Sequence, residues 1–134
     1  MTLKQEDRNA LVSVRLQRAK ETMAEVHGVI QFGYWRNAAN RLYYACYYAA
    51  CALLIKNSIT AHTHAGVLNQ FGLHFVAKEI ISMEQGKLLK QLYNLRQTGD
   101  YDDWILIKKE DVMPLLKPAQ QFITAIENLI NENI

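Results

Sequence analysis

Apolar residues recur along the first part of the chain in alternating steps of four and three: Val12, Leu16, Ala19, Met23, Val26 and Ile30. That spacing draws one stripe along a helix and predicts an element from about Gln5 to Val29, ending before Gly33. Thr2-Leu-Lys-Gln5 has the spacing of a capping box at its start. A second helix is expected from near Tyr34 to about Lys56. Its early turns carry Arg36, Asn37, Asn40 and Arg41, whereas Leu42 to Ile55 is apolar on every side and includes Tyr43, Tyr44, Tyr47 and Tyr48. A helix of that kind must be surrounded, by other helices or by a partner chain. Its alanines let neighbours approach closely.

Further along, Thr63 to Phe71 predicts a short helix, with a second turn around His74 to Glu79. Ser82-Met-Glu-Gln85 is another capping-box spacing and opens a helix with Leu88, Leu92 and Leu95 on one face. This helix is expected to stop at Gly99, leaving Asp100 to Lys109 as a loop. A last helix is predicted from about Glu110 to Asn131, with Val112, Leu115, Ala119, Phe122, Ile126 and Leu129 inward. Pro118 should bend it or delay its start. The fold class is therefore all-α: an up-and-down bundle of four to five helices in a single domain spanning 1–134.

Composition narrows the function classes. The 134 residues suit one core, and a formal charge of +2 is too small to argue for nucleic acid on electrostatics alone. Lys4, Arg8, Arg15, Arg18 and Lys20 make the first helix locally basic, either as a phosphate-touching face or as a solvated one. Cys46 and Cys51 lie about 140° apart on one helix and read as buried small hydrophobes. A polar N-terminus and an apolar run shorter than the ~18 residues of a membrane span point to a cytoplasmic protein without membrane contact. His62 and His64 lie two apart, with His27 and His74 alone. No convergent metal-ligand spacing is visible, so neither a metal nor a cofactor is expected. No helix-turn-helix spacing supports a DNA-binding regulator.

Two segments carry a family resemblance. Ala39-Asn-Arg-Leu-Tyr-Tyr-Ala-Cys-Tyr-Tyr-Ala-Ala-Cys-Ala-Leu-Leu54 is similar to the second helix of the HEPN domain. Leu92-Tyr-Asn-Leu-Arg-Gln-Thr-Gly-Asp-Tyr-Asp-Asp103 resembles the end of that family's fourth helix. His64 to Phe75 looks like the short helix between them. The resemblance covers about Gln5 to Ile130. It implies a bacterial helical bundle that forms a homodimer and is the toxin-like partner of a minimal nucleotidyltransferase in a toxin–antitoxin pair. Active members cut RNA without a metal, using an Arg followed, after four to six residues, by a His. Arg96 matches the Arg, and Tyr101 stands where the His is expected.

That replacement matters chemically. Histidine exchanges protons near neutrality, with a reference pKa of about 6.5, whereas tyrosine's is about 10. Tyr101 can donate to phosphate or stack on a base, and Arg96 can hold phosphate. Alternatively, Arg96 pairs with Asp100 or Asp103 and Tyr101 packs on the bundle. A histidine from the 62–74 region folding against Arg96 would restore a base. Asn40 and Arg41 either line one polar cleft with Arg96 and Asp100 or form a buried structural pair with the Asp-rich segment. The tyrosine stripe is expected at a dimer interface, with base stacking as its alternative. The expected function is a dimeric module that binds nucleotide, RNA or protein with weak or no ribonuclease activity. The alternative is an active ribonuclease toxin.

Overall fold

The computed structural model describes residues 3–133, which form five α-helices and, among the described residues, no strand. In chain order they are α1 (Gln5–Ile30), α2 (Trp35–Lys56), α3 (His64–Phe71), α4 (Met83–Tyr101) and α5 (Lys109–Asn131), with a π-helical turn at Gly72–Val76 directly after α3. The predicted all-α bundle is observed.

α1 and α2 form an antiparallel hairpin. Gly33 makes its turn with φ +72, a left-handed conformation that glycine adopts without strain. The α1 stripe packs inward as its spacing predicts, with Val12, Ala19, Met23 and Val26 buried. At the open end of the hairpin Arg8 Nη1 donates to the Ile55 carbonyl at 2.8 Å. This satisfies an acceptor in the last turn of α2 and places a cation at that helix's negative end. The N-cap of α1 is Lys4, with no side-chain cap bond. The expected cap at Thr2 lies outside the described residues.

α2 is the centre of the bundle. Ten of the 14 residues from Leu42 to Ile55 are buried within the single chain; Tyr44, Tyr47, Tyr48 and Ile55 are half-buried. α1, α4 and α5 cover the helix almost completely, and the tyrosines form its one open margin. Phe71, Phe75 and Phe122 close one part of the core, with Phe71 at 5.6 Å from each of the other two rings.

Two short caps set the middle of the chain. Thr63 Oγ1 accepts from the Gly66 amide at 2.9 Å, and Ser82 Oγ from the Gln85 amide at 3.2 Å; the second is the cap that the Ser82–Gln85 spacing predicts. The turn expected near His74 is a π-helical continuation of α3. Ala77 N–H reaches the Gly72 carbonyl at 2.8 Å, five residues back. α5 begins ahead of both prolines, at Lys109, and runs through Pro114 and Pro118. The amide that Pro114 lacks leaves a carbonyl at the exposed Glu110, where water can serve it.

One boundary differs from expectation, with consequences for the site. α4 does not stop at Gly99 but continues to Tyr101. Gly99 is buried, and a Cβ there would lie 3.3 Å from both Arg36 Cγ and Ile107 Cγ1. The glycine serves close packing, not termination. Asp100 and Tyr101 are thus helical residues, and the connecting loop shrinks to 102–108.

Leu42 is fully buried in this core. Leu42→Asp should destabilise the protein severely, because an unpaired buried charge costs roughly 3–5 kcal/mol on top of roughly 1.5–3 kcal/mol of lost apolar burial, against a total stability of about 5–15. A cooperative melt near the wild-type temperature would contradict the placement of α2.

Candidate functional site

The last two turns of α4 meet the open margin of α2. Arg96 Nε lies 2.9 Å from Asp100 Oδ2, one helical turn on, with the two side chains 12% and 23% exposed. The contact is ionic, but its angle is poor for a hydrogen bond, and Nε has no other partner. Arg96 Nη2 donates to the Tyr44 hydroxyl at 3.0 Å and more weakly to that of Tyr101 at 3.5 Å. The guanidinium carbon stands 5.2 Å from the Tyr44 ring centroid and 5.5 Å from that of Tyr101. Burial works against the Arg96 charge, but Tyr44, Tyr101 and Asp100 outweigh it and raise its pKa. Arg96 is a fixed cation.

Asn40 and Arg41 extend the network across α2. Asn40 Nδ2 donates to Asp100 Oδ2 at 2.9 Å, while its Oδ1 accepts from Arg41 Nε and Nη2 at 3.0 and 2.8 Å. The structure therefore brings four of the five expected residues into one chain of contacts, Arg96–Asp100–Asn40–Arg41, with Tyr101 at its edge. The partner of Arg41 is a correction. Its carboxylate is Glu25 on α1, 3.4 Å away, rather than the Asp-rich segment, and the Arg41 side chain is 30% exposed. Asn40 fills the space in which Asp100 would otherwise meet it. Arg41 also lies 5.3 Å from the Tyr44 ring centroid, so two guanidinium groups share one tyrosine. Tyr101 does not pack on the bundle; it is 70% exposed.

A histidine does fold against this cluster. His64, the first residue of α3, stacks on Tyr47 at 4.5 Å between centroids, and its Nδ1 lies 2.7 Å from the Tyr43 hydroxyl. Desolvation, and secondarily the Arg96 charge, lower its pKa, so the ring is neutral at pH 7. Tyr43 is fully buried, and burial raises its pKa far above the ordinary range. Its hydroxyl keeps its proton, and Nδ1 is the acceptor within reach. Hydrogen placement follows from this network: Tyr43 donates to Nδ1, and the imidazole proton sits on Nε2. In this tautomer neither ring nitrogen of His64 has a free lone pair.

Basic side chains of α1 divide between structure and site. Arg8 serves α2, and Lys20 pairs with Glu127 on α5. Arg18 lies 5.5 Å from the Tyr48 ring centroid, continuing the arginine–tyrosine margin one turn beyond Tyr44. Burial, with Cys51 close by, pushes the Tyr47 hydroxyl up to about 12. Burial also raises the pKa values of both cysteine thiols, which are unpaired. Among the described residues no three His, Cys, Asp or Glu side chains gather as a metal site would require, and no helix is long and apolar enough to cross a membrane.

The arrangement offers two delocalised cations, aromatic faces and an exposed phenol. That combination suits a phosphate with an adjoining base. His64 generates a pH prediction. Its folded pKa is lower than its unfolded value of about 6.5, so the unfolded state binds more protons on acidification. Stability should be full above about pH 6.5 and decline as pH falls toward the folded value. His64→Gln should flatten this decline. Urea titrations between about pH 7.5 and 5, a range that brackets the histidine titration, would measure it, and an unchanged slope in the variant would refute the assignment.

Comparison with known proteins gives the family. The HEPN domain matches residues 12–129. A UPF0332 protein of Thermotoga maritima is 29% identical over 126 residues, covering 94% of this chain and 96% of the relative. A Methanocaldococcus jannaschii protein named "Putative toxin MJ0142" is 31% identical over 120 residues, covering 89% and 82% of the two chains. A second from that organism, "Putative toxin MJ0605", is 29% identical, with 90% of each chain covered. In structure, the chain is similar to the crystal structure of TT1696 from Thermus thermophilus, with a TM-score of 0.75, 15% identity and 92% and 98% coverage; at that identity the likeness concerns the fold. A five-helix bundle enclosing α2, with this family match over most of its length, is thus the fold of a member of the HEPN-domain family, to which this chain belongs.

Proposed function

We propose that this protein is a HEPN module that binds single-stranded RNA or a nucleotide at the Arg96–Tyr44–Tyr101 margin, with weak or no ribonuclease activity. In this reading it is a homodimer, and it acts as the toxin-like partner of a minimal nucleotidyltransferase. The observation that carries the reading is the pair of guanidinium groups, Arg96 and Arg41, both within 5.3 Å of the Tyr44 ring centroid and beside the exposed Tyr101. Cations fixed on aromatic faces hold phosphate while leaving rings for bases. The toxin association draws on the names of the two M. jannaschii relatives and on the family resemblance, which also suggests the dimer and the nucleotidyltransferase.

The weak-cleavage part follows from proton chemistry. Metal-free cleavage must activate a 2′-hydroxyl, and a base needs a free lone pair near neutral pH. Tyr101 stands at the motif position in place of histidine. The nearby His64 has Nδ1 2.7 Å from the Tyr43 hydroxyl; with Tyr43 assigned as donor the imidazole proton sits on Nε2, and the ring suits donation or stacking better than proton abstraction. The second reading, an active ribonuclease, is favoured by one observation, the closeness of His64 to the Arg96 cluster, and would require the other tautomer.

A binding and cleavage assay on short RNA with metal chelated separates the readings. Arg96→Ala should weaken RNA or nucleotide binding by about tenfold to a hundredfold, the loss of a charged hydrogen-bonding partner worth roughly 1.5–3 kcal/mol. Tyr101→Phe should have a smaller effect, since it keeps the ring. Tyr101→His should gain cleavage. Robust cleavage by the wild type, abolished by Arg96→Ala, would overturn the weak-activity reading in favour of the ribonuclease. Unchanged binding in Arg96→Ala would remove this margin as the site.

A further inference from the structure

A groove of about 490 Å³ runs between α3, with its π-helical turn, and α4. None of its lining residues belongs to the arginine–tyrosine contacts of the candidate site. Its shape comes from residues that the sequence keeps small. A Cβ on Gly86 would stand 2.7 Å from Val76 Cγ2, so only glycine lets α4 touch the π-helical turn there. That contact closes one end of the groove. A Cβ on Gly72 would meet nothing within 4 Å, although this residue lines the groove and has ordinary helical angles (φ −60, ψ −46). Leu68, Val76, Met83 and Leu89 supply the apolar surface, and Met83 is 67% exposed.

Charge and size select what fits. No acidic residue lines this space, whereas Lys87 and Lys90 do. One helical turn apart on α4, they share one lip. Among the described residues neither lysine belongs to an ion pair. Lysine stems lie along apolar surface with the ammonium in water, so the lip is apolar below and cationic above. From Met83 to Asn94 the lining follows α4 for about 16 Å at ~1.5 Å per residue. Between helices whose axes lie ~8–10 Å apart, that is a footing on the order of 150 Å². A specific protein interface takes about 800 Å² per partner, so a partner helix has too little to stand on. The observed volume falls within the ~300–1,000 Å³ of small-molecule sites.

We infer that the α3–α4 groove binds a small amphipathic anion, an aliphatic chain of medium length ending in a carboxylate or phosphate. The tail lies against Gly72, Leu68 and Leu89, and the head group meets Lys87 and Lys90. From Lys90 to Met83 the space extends about 10 Å along α4, the reach of a medium-length acyl chain. Two ammonium groups act as point charges and hold either head group. The walls favour a chain over a nucleobase, which needs a free aromatic face. Tyr93 is the single aromatic residue of the lining. Its ring packs edge-on against Tyr43 at 5.5 Å, and its hydroxyl accepts from Gln97 Nε2 at 2.8 Å. The inference is independent of RNA binding at Arg96 and of the oligomeric state.

Calorimetric titration of the full chain with octanoate and with octyl phosphate, each as monomers, tests this. At least one of the two should bind one-to-one with a dissociation constant on the order of 100 µM or tighter, and the tighter one identifies the head group. Octanol keeps the tail and acetate keeps the charge; each should bind at least about tenfold more weakly. Lys87→Met with Lys90→Met keeps both stems and removes both charges. It should weaken the anion at least about tenfold and leave octanol unchanged. Gly72→Leu fills the empty wall. It should weaken binding by a similar factor while the thermal midpoint holds or rises, since leucine is the better helix former. In amide NMR spectra the bound anion should shift Gly72, Gly86 and Lys87 and leave Asn40 and Arg96 in place. Absence of saturable binding by both anions up to about 1 mM overturns the inference. So does an anion no tighter than octanol, a lysine-pair variant that binds like the wild type, a folded Gly72→Leu that binds undiminished, or shifts centred on Arg96. Should Gly72→Leu fail to fold, the lysine pair and the NMR map still decide.

Discussion

A helix with no polar face over most of its length must be enclosed, and α2 imposes that requirement on everything around it. From Leu42 to Leu54 its alanines and cysteines are buried, and their small side chains let α1, α4 and α5 come close enough to exclude water. Alanine buries little area, so the stabilising burial comes from what it admits: Met23 and Val26 from α1, Leu89 and Leu92 from α4, and Phe122 and Ile126 from α5. The tyrosines are too long to be enclosed on the same terms. Tyr43 goes inward and commits its hydroxyl to His64. Tyr44, Tyr47 and Tyr48 stay half-buried at the rim, with the Tyr44 hydroxyl accepting from Arg96. The candidate site is the place where enclosure of α2 gives out.

The rim is charged yet largely self-compensated. Asp100 faces Arg96, and Glu25 faces Arg41. An incoming phosphate must therefore compete with carboxylates already in place, and the Arg41–Glu25 pair is open enough to water to be modest in strength. The poor angle between Arg96 Nε and Asp100 leaves that competition less one-sided than the 2.9 Å distance suggests. Asn40 holds Asp100 from the other side and so steadies the acid while Arg96 changes partner.

Much of this was legible in the sequence, for identifiable reasons. The α1 stripe, the hydroxyl cap at Ser82 and the end of α1 before Gly33 are local signals, each enforced within a few residues. Arg96 and Tyr101 stand out through the resemblance, Asn40 and Arg41 as polar residues in an otherwise apolar helix, and Asp100 through its i,i+4 spacing from Arg96; contacts in the structure join them. What escaped was non-local or ambiguous. Gly99 reads as a helix stop, but its small size is needed for Arg36 and Ile107, the first of them far away in sequence on α2. The π-helical turn has no sequence signature of its own. Glu25, the partner of Arg41, sits on another helix, and nothing in its surroundings marks it. His64 could be placed only within a region, because its role depends on where α3 lands against Tyr43 and Tyr47.

The missing methyl at Gly99 also sets a mechanical property of the molecule. Ile107 is the one buried side chain of the 102–108 connection, and it is seated against this glycine. Lifting the connection off α4 exposes little more than one isoleucine, worth roughly 1.5–3 kcal/mol, whereas opening the bundle exposes the whole core. The segment is thus a separate unit of stability, able to detach and reseat many times within the lifetime of the folded helices. Slow amide exchange should be confined to the helices, while this short stretch exchanges as a hinged flap fastened by a single apolar pin.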